Sequence, residues 1–459
     1  MDITIDLTFF YRLLKMPPYE AVWLLITHGG WAVILLIFLG IAWFMWVARN
    51  QNKYLAGIKY VLLAIDVPKD NIQGPQTAEY IFSTLAAAYS SGDFIERNFE
   101  GYLQIPFSFE IVSLGGYIQF LVYTQEKFRD LVEAAFYAQY PDAEISEVED
   151  YAQSGPVNFP NDEYELWGTE LILYNNEAYP IRTYPAFEDK MAKDAKFKDP
   201  MASLLEMLGK IGEGEQIWLQ LVITPCGQDW KSKGEKEVKK LIGKKEKPKK
   251  SIFDQVLDSA NKVVSEIGTS VFGGVGGGEE KKKDEPPSLI SFLSPGVKDV
   301  VAAIENKMSK IGFLTKYRFI YLAKKEFANK GRAISGVMGS LQQFNTLNLN
   351  GFKPDSLTKT GADYFFVERR VAEKQRKIIS AYKKRSNLTG AKPYILNIEE
   401  LASLFHFPVS EVRTPLLKKT EAKRSRAPIS LPTQGNPAGL IEESSKRGEA
   451  PANLPIVEE

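Results

Sequence analysis

The chain has 459 residues, enough for two or three domains, and its 44% hydrophobic and 12% aromatic content suffices for genuine cores. Its 57 basic and 57 acidic residues balance, so no global field draws it to nucleic acid and any such affinity must rest on local clusters. His28, His406 and Cys226 are its only imidazoles and thiol, which excludes zinc sites built from Cys and His in one chain, disfavours Ser-His catalysis and rules out an intramolecular disulfide.

Residues 1–20 read as an amphipathic lead-in lying at a membrane interface, broken by Pro17 and Pro18. Residues 21–48 follow as a transmembrane helix. Its heart, Trp31 to Val47 (WAVILLIFLGIAWFMWV), carries no charge, and Trp23, Trp31, Trp43 and Trp46 lie near the ends of the run, where amphipathic rings favour the lipid–water boundary. A cleavable signal peptide fits less well, because the start is acidic (Asp2, Asp6) and Arg49 follows an intact aromatic end. Arg12 and Lys15 precede the span while Arg49, Lys53 and Lys59 follow it, which places the long C-terminal part in the cytoplasm by a margin of one charge.

Residues 54–152 pattern as a strand at 58–67, a helix at 75–89 opened by Pro75, strands at 107–113 and 117–123 around Gly115-Gly116, a helix at 125–140 and a strand at 143–148. That order is the ferredoxin-like split sandwich. A second, similar unit is expected over residues 163–345, with strands at 166–174, 181–184, 216–224 and 316–323 and helices at 200–210, 297–311 and 326–345. It is interrupted by a disordered or amphipathic insertion, 228–294, holding a lysine-rich run, an amphipathic helix candidate at 251–271 and the glycine-rich GGVGGGEEKKKDEPPS. The expected fold is therefore α+β: an N-terminal transmembrane helix, then two ferredoxin-like units, the second carrying a flexible insertion. Residues 362–410 follow as a helical segment, and 415–459 read as a disordered tail rich in Pro, Ser, Lys and Glu.

A phosphate-cradling loop needs GxxxxGK[ST], and no such run occurs: Gly209-Lys210 is followed by Ile211 and Gly243-Lys244 by Lys245. No catalytic, cofactor or metal constellation emerges, so the expectation is a protein that is not an enzyme and needs no cofactor. His406 reads as a packed histidine making one hydrogen bond. The strongest charge cluster is the helix Glu368 to Arg385, with Arg369, Arg370, Lys374, Arg376, Lys377, Lys383, Lys384 and Arg385 against Glu368 and Glu373. Three readings of it stay open: a solvated face or intramolecular salt-bridge surface, a surface for nucleic-acid phosphates, or one for anionic lipid. Farther on, Asn397 reads as the N-cap of a short helix, with Glu399 and Glu400 in its first turn, that presents Leu401, Leu404 and Phe405 to a neighbour.

The run Pro393 to Pro408 (PYILNIEELASLFHFP) resembles a segment just upstream of the motor domain in bacterial type IV secretion and conjugative-transfer ATPases. The blocks Phe107 to Phe120, Tyr137 to Tyr151 and Glu373 to Ser386 look like the N-terminal region of the same group. Where that family's motor begins, after about Pro428, the chain has only about thirty further residues, and no ATP-binding residue can be carried over. The resemblance thus implies the membrane-anchored, non-motor half: a docking or assembly subunit at the bacterial inner membrane that holds a separately encoded RecA-like ATPase. Other secretion-system subunits, membrane lipid, DNA and a second copy of the chain are the further partners it implies. The alternative from a different class is a stand-alone anchored protein that binds nucleic acid or anionic lipid through the basic helix.

Overall fold

The computed structural model describes residues 16–25, 27, 31–67, 71–156, 158–189, 196–243 and 293–409. After a short helix, α1 (Pro18–Leu25), comes α2 (Trp31–Ala56), whose 26 residues rise about 39 Å at 1.5 Å each. Its most apolar window has a mean hydropathy of 2.4 and no residue of that window is buried, so the helix is long and apolar enough to cross a membrane. Charge enters only at Arg49, and Asn50 is its one buried residue.

The chain then runs β1 (Tyr60–Asp66), α3 (Pro75–Leu85), β2 (Phe107–Leu114), β3 (Tyr117–Gln125), α4 (Arg129–Tyr137) and β4 (Glu144–Glu147). These strands lie in the order β4-β1-β3-β2, every neighbour antiparallel. The second half repeats the plan with β5 (Tyr164–Leu173), α5 (Ala202–Gly209), β6 (Glu215–Pro225), β7 (Gly312–Lys324), α8 (Lys330–Gln342) and β8 (Phe352–Pro354), ordered β8-β5-β7-β6 and again antiparallel throughout. Two helices, α6 (Lys231–Leu241) and α7 (Pro295–Ser309), lie between β6 and β7. The halves are not separate domains. β2 pairs with β6 over eight residues, from Phe107↔Ile223 to Leu114↔Gln216, and the two sheets become one. A ninth strand, β9 (Tyr394–Asn397), pairs with the start of β7.

Alternation along the strands makes two faces. Phe107, Phe109 and Ile111 of β2 and Leu219, Leu221 and Ile223 of β6 point into the larger core, under α3, α4, α5 and α8. The opposite residues, Val112, Trp218, Ile320 and Leu322, are covered by α9 (Val367–Lys383) through Ile378, Ile379 and Tyr382. A sheet with helices on one face would leave those residues in water; here the basic helix lies over them.

Several expectations change. No strand forms at Ile181–Tyr184: the Ile181 N–H donates to Glu400 and the Tyr184 N–H to Ser403, so side chains from α10 (Ile398–Leu404) take the bonds a strand would need. The proposed insertion contains the ordered helix α6, which packs on α7 in a small core of Ala178, Val238, Val301 and Ile304. Gly234 permits that contact, since a Cβ there would lie 2.3 Å from the Met308 sulfur. The candidate helix 251–271, the glycine-rich run, the first fifteen residues and the tail 415–459 lie outside the described residues.

Candidate functional site

The basic helix divides by face. Ala372, Ile378, Ile379, Ala381 and Tyr382 turn inward, and Glu373 pairs with Lys377 one turn on at 2.6 Å. Arg369, Arg370, Arg376, Lys377 and Lys384 are exposed, so five of the eight cations named from sequence share an outer surface. The other three serve the fold. Lys374 donates to the carbonyls of Ser356 (3.1 Å) and Gly361 (2.9 Å), and Lys383 to that of Gly155 (3.0 Å). Arg385 is buried against Glu110 (3.0 Å) and Asp150 (2.6 Å), with its guanidinium over the Tyr123 ring at 4.2 Å.

Arg385 caps a buried polar row that runs straight across four strands. Register places Glu110 beside Gln220, Gln220 beside Arg318 and Arg318 beside Glu170. Gln220 donates to Glu110 at 2.9 Å, and Arg318 donates to Gln220 at 2.9 Å and to Glu170 at 2.8 Å. Ser108 and Tyr151 add donors to Glu110 at 2.7 and 2.8 Å. Glu110, Asp150 and Glu170 are offset by Lys316, Arg318 and Arg385. Burial alone would lower the guanidinium pKa of Arg385, but Glu110 and Asp150 hold it above the ordinary value. Burial pushes Lys316 down to about 8 against the pull of Glu170. Taking charges out of water is costly unless every one is paired and hydrogen-bonded, and this row meets that condition.

The second predicted group, Leu401, Leu404 and Phe405, is corrected outright: these side chains are buried in the chain's own core and offer no surface to a partner. The Phe405 ring lies 4.9 Å from Phe109 and 5.5 Å from Phe120, and Phe407 lies 4.9 Å from Phe120. The N-cap reading of Asn397 is met as a full capping box with Glu400. Glu400 also pairs with the buried Lys307 at 3.0 Å, tying α10 to α7. His406 makes two hydrogen bonds rather than one, from Nδ1 to the Ala402 carbonyl (2.7 Å) and from Nε2 to Asp199 (2.9 Å).

Sequence reasoning passed over the row itself, although each strand carries a charged or amide side chain within a largely apolar run: Glu110 in FSFEIV, Gln220 in WLQLVI, Arg318 in YRFIY and Glu170 in GTELIL. It also passed over Tyr364, Phe365 and Phe366, which are 87, 83 and 78% exposed just before α9. Tyr364 and Phe366 adopt φ of 69° and 54°, a strained region for bulky residues. Three consecutive aromatics beside Arg369 and Arg370 were the available signal. Among the described residues, no group of three or more His, Cys, Asp or Glu side chains is placed to hold a metal.

Burial raises the carboxyl pKa of Asp150 and Asp199, but Arg385 for the first and His406 for the second more than offset it, so both titrate below the ordinary aspartate value. A carboxylate with a depressed folded-state pKa contributes stability that is complete above its unfolded value and is lost as pH falls through the folded one. The melting temperature of the full chain in detergent should therefore be flat from pH 6 to 5 and fall below about pH 4. Thermal scans of wild type and Asp199→Asn check this; equal acid slopes in the two would remove Asp199 from the account.

These elements define an α+β protein with an exposed apolar helix at its N-terminus and one large antiparallel sheet faced by helices on both sides. Residues 63–420 match the family described as "Domain of unknown function (DUF8128)", and the chain belongs to that family. The match begins within β1, after the apolar helix, and takes in both halves of the sheet together with α9 and α10. No curated protein matches the chain.

Proposed function

We propose that the chain is a membrane-anchored docking protein, whose α2 crosses a bilayer once and whose sheet unit, built from two ferredoxin-like halves, is a platform for a separately encoded partner on the cytoplasmic side. The observation that carries this reading is α2 itself: an apolar helix with no buried residue in its apolar window, running without a break into residues that pack on the 93–102 segment of the sheet unit. The fourth-first-third-second strand order in each half supports the ferredoxin-like assignment. Arg49, Lys53 and Lys59 support the cytoplasmic side. The resemblance of residues 107–120, 137–151, 373–386 and 393–408 to type IV secretion and conjugative ATPases supports a RecA-like motor of such a machine, at the bacterial inner membrane, as the partner.

The docking surface in this reading is the aromatic run Tyr364-Phe365-Phe366 with Arg369 and Arg370, since exposed apolar groups of this kind mark interaction sites. A mild-detergent pull-down of the full chain, with mass spectrometry and an ATPase assay on the eluate, should recover a stoichiometric RecA-like ATPase. The triple change Tyr364→Ser, Phe365→Ser and Phe366→Ser should remove it without lowering the melting temperature. The five exposed cations on α9 and at its C-cap favour a second reading, a stand-alone binder of nucleic acid or anionic lipid. If no ATPase copurifies and salt-sensitive binding of DNA or anionic vesicles is lost on Arg369→Glu with Arg376→Glu, the function passes to that reading.

A further inference from the structure

Residues 93–101 form a tight turn that no sequence pattern announced. Asp93 and Glu96 cap each other, the Glu96 N–H donating to Asp93 (2.8 Å) and the Asp93 N–H to Glu96 (2.9 Å), and a π-helical turn, Glu96–Glu100, follows. Arg97 folds back to donate to the Ser91 carbonyl at 2.6 Å. The turn leaves three large apolar side chains outward, Phe94, Ile95 and Phe99, which are 68, 59 and 50% exposed, alongside the exposed charged residues Asp93, Arg97 and Glu100.

This turn is fastened to α2. The Phe99 ring meets Trp43 edge to face at 5.7 Å, Asn50 donates to the Asn98 carbonyl at 3.4 Å, and Tyr54 meets Tyr102 at 5.7 Å. Trp43, Asn50 and Tyr54 are seven and four residues apart, which puts them on one side of the helix. Gly101 has φ +77°, and a Cβ there would lie 2.3 Å from the Asn50 carbonyl carbon, so the two backbones touch. Trp43 lies six residues before Arg49, the first charge, or about 9 Å down the axis at 1.5 Å per residue. That matches the depth of about 5–10 Å at which interfacial helices bury their apolar faces.

We propose that Phe94, Ile95 and Phe99 form a second membrane contact, seated in the headgroup–acyl boundary beside Trp43 and fixing how the sheet unit stands on the bilayer. The inference rests on the reading of α2 as a membrane span. Its occupant is lipid because Phe99 joins the exposed apolar surface of α2 at Trp43, and Phe94 and Ile95 stand exposed on the same turn.

The test uses full-length protein carrying Cys226→Ser, reconstituted in phosphatidylcholine–phosphatidylglycerol vesicles. Nitroxides are placed singly by Phe94→Cys, Ile95→Cys and Phe99→Cys, with Phe38→Cys inside the span and Leu347→Cys on the fully exposed surface as references. Spin relaxation by oxygen, which partitions into lipid, is compared with relaxation by a water-soluble nickel chelate. Positions 94, 95 and 99 should show an oxygen-to-nickel ratio several-fold above that of position 347 and approaching that of position 38. If 94 and 95 match 347 while 38 reads as lipid, the contact is wrong and the anchor stands. Low relaxation by both reagents at 94 and 95 would mean that protein covers them, and would also overturn the proposal. Nickel access at 38 would end the anchor reading and this inference with it.

Discussion

Replacing Arg385 with alanine should destabilise the sheet unit by about 3–5 kcal/mol, the cost of leaving a buried charge without its partner. Glu110 is fully buried, and among the described residues Arg385 is the one cation paired with it, with Asp150 sharing the same guanidinium. Removal leaves Glu110 with Ser108, Tyr151 and Gln220 as donors, neutral groups that cannot balance its charge. Arg385→Lys keeps the charge but loses the planar fork that reaches both carboxylates, so it should fall between wild type and alanine. Chemical denaturation of the full chain in detergent checks the series, and the pair Glu110→Gln with Arg385→Met should recover much of the loss. A change below about 1 kcal/mol for Arg385→Ala, typical of an exposed ion pair, would mean that water reaches the row and that it does not hold α9 to the sheet.

Phe405→Ala should be comparably damaging, at about 3–5 kcal/mol for truncating a buried aromatic. The ring is 3% exposed and sits among Phe109, Phe120 and Phe407, so its loss opens a cavity between the end of α10 and strands β2 and β3. This variant separates the two meanings of the LFHFP segment. A docking residue, when truncated, weakens a partner and leaves the melting temperature alone. A core residue lowers the melting temperature by many degrees whether or not a partner is present, and that is the outcome expected here.

Period and punctuation carried much of the fold. The strands from Tyr60 to Gln125 and both helices of the first half fall within a few residues of where alternation, Pro75 and Gly115-Gly116 place them. Legibility stops where contacts are made at long range. Nothing local to Phe107–Leu114 or Glu215–Pro225 says that these two strands pair with each other, because both have the same alternating pattern and either would serve as an edge. The basic helix misled for a similar reason: a charge count cannot tell an arginine facing solvent from one 3.0 Å from a buried glutamate 275 residues earlier. Leu401, Leu404 and Phe405 do pack together, but sequence does not show whose core such residues fill.

The seam between β2 and β6 has a consequence for how the molecule avoids its own kind. Each half alone would present a strand of eight or more residues with a free row of backbone donors and acceptors, the template on which chains aggregate. Joined, the halves hide those rows in each other, and the sheet ends instead on β4 and β8, four and three residues long. Growth by adding strands therefore finds only short outer strands at the two ends of that strand path. A nick between residues 154 and 164 that let the halves part should turn a well-behaved protein into an aggregating one.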